Sequence, residues 1–180
     1  MDNGWNQVAR AVASEFADVN DLEQLTRVVL RLGLAALLGG LLGWEREIHG
    51  KSAGLRTHML VAMGAALIVL IAQQSGGSAA DISRVLQGVI AGVGFLGAGT
   101  ILKGDAQGDK ETHVKGLTTA AGIWLTAAIG AAAGAGKEVT AVLCAGLAFG
   151  VLTLVPLFAP APRPEPEAEA ASSPPPTDRP

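Results

Sequence analysis

The chain has 180 residues, 49% hydrophobic and only 16% charged, with a net charge of −3. A soluble domain carries about a quarter charged residues, and the 24 glycines follow no Gly-X-Y period, so a soluble fold is disfavoured and collagen is excluded. A single cysteine, Cys144, excludes an internal disulfide and a multi-cysteine zinc centre, and the lack of a basic patch with interleaved aromatics argues against nucleic acid.

Residues 1–24 read as an N-terminal extracytoplasmic segment. It is not a signal peptide, having no basic start followed by an apolar run and containing Glu15, Asp18, Asp21 and Glu23. Trp5, Val8, Val12 and Phe16 recur at helical spacing and predict a short amphipathic helix on the membrane surface. Residues 25–158 then hold five apolar segments. The first, about Leu25–Trp44, follows Asn20 and Glu23 in a capping-box pattern, with Arg27 and Arg31 near the outer interface. The others are about Leu55–Gln73, Val85–Leu102, Gly116–Gly134 and Val139–Phe158, with Pro156 helping to end the last.

Val85–Leu102, Gly116–Gly136 and Val139–Pro162 contain no Asp, Glu, Lys or Arg. Uncharged, mainly apolar runs of about 18 residues or more read as transmembrane helices. The expected fold class is therefore an all-α integral membrane protein with five transmembrane helices. Residues 159–180 are proline-rich and acidic, and are expected to be a disordered cytoplasmic tail.

Five spans place the chain ends on opposite sides. The first and third loops carry Arg46, Lys51, Arg56, Lys103, Lys110 and Lys115; the opposite side carries Arg10, Arg27, Arg31, Arg84 and Lys137. The positive-inside rule puts the C-terminus in the cytoplasm and the N-terminus outside.

Two glycine patterns mimic nucleotide motifs. Gly92, Gly94 and Gly97 match a dinucleotide fingerprint but lie inside a hydrophobic span, and Gly134–Glu138 lacks the first glycine and the Ser or Thr of a P-loop. Packing is the better reading. Gly88, Gly92 and Gly99 share one face of the third helix, and Gly94 and Gly97 the opposite one, so this helix is expected to be clamped centrally between neighbours. Gly39/Gly43 and Gly130/Gly134 form small-xxx-small pairs on the first and fourth spans. A weak repeat relates "GLRT" at Gly54 to "GLTT" at Gly116, which suggests parallel repeats of spans one–two and three–four.

On this reading two helix N-termini, with their unpaired N–H groups, face the cytoplasm side by side. Glu45, Arg46, Glu47 and Arg56 gather near one, and Asp105, Asp109 and Glu111 near the other, with Gly116, Thr118 and Thr119 opening the second. The charges either set topology and cap helices, or form a site for an ion, ligand or partner. His49, His58 and His113 lie on the same side but match no metal motif; magnesium would want carboxylate oxygens. The metal assignment stays open, and no cofactor is indicated.

"GGLLGWEREIHGKSAGLRTHMLVAMGAAL", "RVLQGVIAGVGFLGAGTIL" and "VKGLTTAAGIWLTAAIGAAAGAG", in that order, resemble the MgtC/SapB family of bacterial membrane proteins. The resemblance runs from about Leu30 to Gly136 and implies a five-span protein of the bacterial cytoplasmic membrane. It implies a link to magnesium homeostasis, low-magnesium growth and virulence, through regulatory contacts with membrane proteins such as ATP synthase. The alternative is a transporter or channel for Mg²⁺ or another ion. By motif, the resemblance points to Glu45, Arg46, Glu47, Arg56 and Thr57 as the functional cytoplasmic loop, with Gly94, Gly97, Thr118 and Thr119 as framework. Long members continue into an ACT-like domain, where this sequence has its proline-rich tail. No Ser/His, paired-Asp or metal signature suggests an enzyme. The bilayer is the expected partner, and homo-oligomerisation is left open.

Overall fold

The structure, a computed structural model, describes residues 4–15, 21–105 and 116–158. The described residues form six helices: α1 (Gly4–Glu15), α2 (Leu22–Ile48), α3 (Leu55–Gln74), α4 (Ala79–Asp105), α5 (Leu117–Gly134) and α6 (Glu138–Phe158). Helices α2 to α6 are the five long and apolar enough to cross a membrane. The expected tail falls outside the described residues. Helix α1 has no buried residue, and its Trp5, Val8 and Val12 are exposed.

Helix ends follow local chemistry. Asp21 caps α2 by accepting the Gln24 N–H, so the cap sits one residue later than the expected Asn20. A capping box starts α4: Ser78 N–H donates to Asp81 (2.9 Å) and Asp81 N–H to the Ser78 hydroxyl (3.3 Å). Helix α2 runs on to Ile48, so Glu45, Arg46 and Glu47 occupy its last turn rather than a loop before α3. It ends at Gly50 (φ +64°), where Lys51 N–H bonds the Arg46 carbonyl (3.0 Å) and Gly50 N–H the Glu47 carbonyl (3.0 Å). Pro156 lies inside α6, which continues to Phe158.

Helix α5 packs against α2, α3, α4 and α6, and half of its most apolar stretch is buried. The central helix is thus the fourth span, not the third as the glycine faces suggested. A Cβ on Gly130 would lie 2.6 Å from the Ala62 Cα, and one on Gly134 2.7 Å from the Ala66 Cα. These contacts bring the α3 and α5 backbones together, where dispersion favours association. Gly39 and Gly43 do the same between α2 and α3, against the His58 carbonyl (2.6 Å) and the Leu55 Cα (2.7 Å). Among the described glycines of α4, Gly97 alone meets a neighbour, Ala120 at 3.5 Å; Gly88, Gly92, Gly94 and Gly99 have nothing within 4 Å. Glycine is common in membrane helices, so its presence alone did not imply a clamp.

Two alanine-rich cores run through the bundle. One joins Ala35, Leu38 and Leu42 of α2 to α3, α5 and α6, where Ala141, Ala145 and Ala148 are buried. Cys144 packs against this core. The other joins α3, α4 and α5 around Val69, Val93 and Ile123. At the N-terminal end of α2, Arg31 donates through Nη1 to the Gln73 side chain (2.9 Å) and the Gly134 carbonyl (3.1 Å), and its Nε lies 3.6 Å from Glu138. One arginine thereby ties α2 to α3, α5 and α6.

Candidate functional site

The charged motif divides into an inward and an outward half. Glu45 is 1% exposed and Arg46 4%. Adjacent helical residues normally diverge by about 100°, yet here Arg46 curls alongside its neighbour. Its Nη2 donates to Glu45 Oε1 (2.8 Å) and its Nε to Oε2, a bidentate pair. His49 closes the group: its Nδ1 lies 2.8 Å from the Glu45 carbonyl oxygen and 3.1 Å from Glu45 Oε1. Both carboxylate oxygens are therefore engaged.

Glu47 plays a different part. Its Oε2 accepts the Leu55 N–H at 2.7 Å, across the 49–54 loop. Gly54 is the N-cap of α3 and supplies no side-chain bond. Glu47 is the missing cap, brought from the preceding helix, and its negative charge meets the positive helix end. His58 is buried on the first turn of α3 and donates from Nδ1 to the Gly54 carbonyl (3.0 Å). Its Nε2 has no hydrogen-bond partner among the described residues and faces α5, where a Cβ on Gly122 would lie 3.7 Å away.

Arg56 and Thr57 are exposed on the same turn of α3, and Arg56 forms no ion pair among the described residues. The structure therefore brings Glu45, Arg46, Glu47 and the start of α3 together, but leaves Arg56 and Thr57 facing away. On α5, Gly116 adopts φ +95° and packs so closely on α4 that a Cβ would lie 2.7 Å from the Thr100 carbonyl oxygen. Thr118 is exposed, and Thr119 is 4% exposed. Asp109, Glu111 and His113 fall outside the described residues, and nothing is described of the Asp105 side chain.

Among the described residues no three His, Cys, Asp or Glu side chains converge as a metal site would require. Glu45 has both carboxylate oxygens held by Arg46 and His49, and Glu47 gives Oε2 to a backbone N–H, which leaves one carboxylate oxygen between them without a partner among the described residues, too few for the oxygen shell of Mg²⁺. These residues do not fit a magnesium cage.

Comparison with known proteins places the fold in context. The model of the MgtC family matches residues 32–159. The chain belongs to the MgtC family. It is a multi-pass membrane protein with five apolar helices. Protein SrpB of Synechococcus elongatus is 49% identical over 113 residues, 59% of this chain and 62% of that one. The Escherichia coli protein named "Putative magnesium transporter YhiD" is 44% identical over 115 residues, 60% of this chain and 51% of that one. Protein MgtC of Brucella abortus is 45% identical over 102 residues, 57% of this chain and 40% of that one. The matched regions thus cover between two-fifths and about three-fifths of these relatives. No solved structure matches.

Proposed function

We propose that this MgtC-family protein is a non-enzymatic regulator linked to magnesium homeostasis, acting through contacts with other membrane proteins. Its charged end would face the cytoplasm, with the N-terminus outside, as the loop charges favour. The observation that carries the reading is the division of the motif. Glu45 and Arg46 pair with each other in a buried site and Glu47 is engaged at the surface as the cap of α3, whereas Arg56 and Thr57 stand exposed on that capped turn, their side chains unengaged among the described residues. An exposed arginine on a preorganised surface suits recognition of a partner's carboxylate or phosphate. The names of the relatives MgtC and YhiD support the link to magnesium.

The second reading, an Mg²⁺ transporter, is favoured by the name of the Escherichia coli relative. Against it, the buried polar side chains of the described core are Glu45, Arg46, His58, Thr119 and Thr126, and between Arg31 and Glu45 its lining is mostly alanine and leucine. Ion routes usually show ionisable groups in mid-span. Two measurements separate the readings. Arg56→Lys should insert at normal abundance yet fail to support growth at limiting magnesium, because lysine lacks the planar fork. Proteoliposomes holding the wild type and a magnesium-sensitive dye should show no flux above empty vesicles. Wild-type growth of Arg56→Lys would remove the proposed contact, and saturable flux would establish the transporter.

A further inference from the structure

Beside the Glu45–Arg46 pair lies a cavity of about 590 Å³, bounded by the end of α2, the start of α5 and the end of α6. One wall carries Arg46, Lys51, Thr118 and Thr119; the other is apolar, with Val151 and Val155 of α6. Among the described residues that line it, none is acidic.

The polar wall is short of acceptors. Gly116 caps α5 with no side-chain bond, and the first closing bond runs from Ala120 N–H to the Gly116 carbonyl (2.9 Å). The N–H groups of Leu117, Thr118 and Thr119 have no acceptor among the described residues, and they form the positive end of an 18-residue helix. A second observation is independent of the helix end. Thr119 is 4% exposed and lines the cavity, yet its hydroxyl has no hydrogen-bond partner among the described residues. Buried polar groups are normally satisfied. A third concerns Arg46, whose side chain is 5% exposed. Its Nε and Nη2 serve Glu45, while Nη1 has no partner among the described residues. Lys51 is held beside it by the bond from its N–H to the Arg46 carbonyl. With Arg46 balanced by Glu45, Lys51 supplies the uncompensated charge.

We propose that this cavity binds a phosphate group, carried either by a soluble anion or by the headgroup of an anionic phospholipid. Donors from a helix N-terminus, a hydroxyl, a guanidinium and an ammonium form a phosphate receptor. The exposed Val151 and Val155 beside it give a lipid's acyl chain an apolar track. The proposal shares Arg46 and its end of the bundle with the regulatory reading, and holds whichever process the protein serves.

The test uses the full chain in a nonionic maltoside detergent, which carries no phosphate. Amide resonances of Leu117, Thr118 and Thr119 are followed while inorganic phosphate is added in one arm and phosphatidylglycerol in the other, at constant ionic strength. Saturable shifts are expected in at least one arm: with inorganic phosphate they identify a soluble anion, and with phosphatidylglycerol alone a lipid. Lys51→Gln, on the exposed loop, should weaken binding about tenfold, the scale of one charge-assisted hydrogen bond. Lys51→Arg should retain binding, and Thr119→Val should weaken it in a chain that still gives dispersed spectra. No saturable shift in either arm overturns the proposal. So does an affinity that neither Lys51→Gln nor Thr119→Val changes. Growth is not read, so failure of the regulatory reading leaves this result untouched.

Discussion

Replacing Glu45 and Arg46 by methionine, singly and together, tests whether they act as one buried unit. Glu45 is 1% exposed and the Arg46 side chain 5%, so the charge left by either single variant stays largely desolvated, apart from the edge of Arg46 that lines the cavity beside it. Removing one member of a buried pair costs about 3–5 kcal/mol, because the survivor keeps its desolvation penalty without its partner. Glu45→Met should sit at the top of that range, since a guanidinium cannot give up its proton. Arg46→Met should cost less, because His49 Nδ1 remains 3.1 Å from the carboxylate. The double variant buries no charge, and apolar replacement of a whole pair is often close to neutral. It should therefore be more stable than either single variant, with a coupling energy of about 2 kcal/mol or more. Equilibrium unfolding in mixed micelles of increasing SDS fraction gives the four stabilities. Additive effects, with coupling below about 0.5 kcal/mol, would refute the claim that the charges share one desolvated environment.

Gly130→Ala should cost about 1–3 kcal/mol in the same assay, because its Cβ meets α3 backbone at Ala62. Gly92→Ala on α4 should change stability by no more than about 1 kcal/mol, as nothing lies within 4 Å. Arg31→Met should cost about 2–3 kcal/mol through its lost bonds to Gln73 and the Gly134 carbonyl. Arg27→Met, which breaks the exposed, solvent-screened pair with Glu23, should cost clearly less than Arg31→Met; equal losses would deny Arg31 its tying role. A reporter active only in the periplasm should be silent when fused after Pro180 and active when inserted near Gly77, and the reverse would invert the proposed topology.

The five spans were legible because long uncharged runs leave few alternatives. Element ends were less so. Ser78 and Asp81 spelled out the start of α4, yet a reading that follows apolar runs begins the helix at Val85 and misses its polar first turn. The same bias treated Glu45 to Glu47 as loop, when Gly50 marks the true end of α2. The family motif located the charged end but not its internal division. Glu47 caps a helix eight residues on, a contact across a loop that no periodicity reveals. Arg31 looked like an interfacial anchor, and only the packed bundle shows it bonding to α3 and α5. Glycine spacing misled on α4 because the face of a helix says nothing about whether another helix reaches it.

Together these contacts give the bundle an uneven mechanical character. Helices α2, α3, α5 and α6 are joined through Arg31 near one end. At the other, Glu47 ties α2 to the start of α3, with the Glu45–Arg46 pair buried beside it. Between the ends, glycines and alanines hold α3 on α5 at backbone contact, leaving little room to slide. A rocking motion of α2 and α3 against α5 would have to break bonds at Arg31 and separate these backbones. Helix α4 is different: its most apolar stretch is only 11% buried, and four of its glycines meet nothing. Motion within the bundle is therefore least costly at α4, and α4 leads through residues 106–115 to the start of α5, where Gly116 packs on Thr100 and the phosphate cavity begins. A ligand in that cavity would bear on the junction between the least buried of the five spans and the central one.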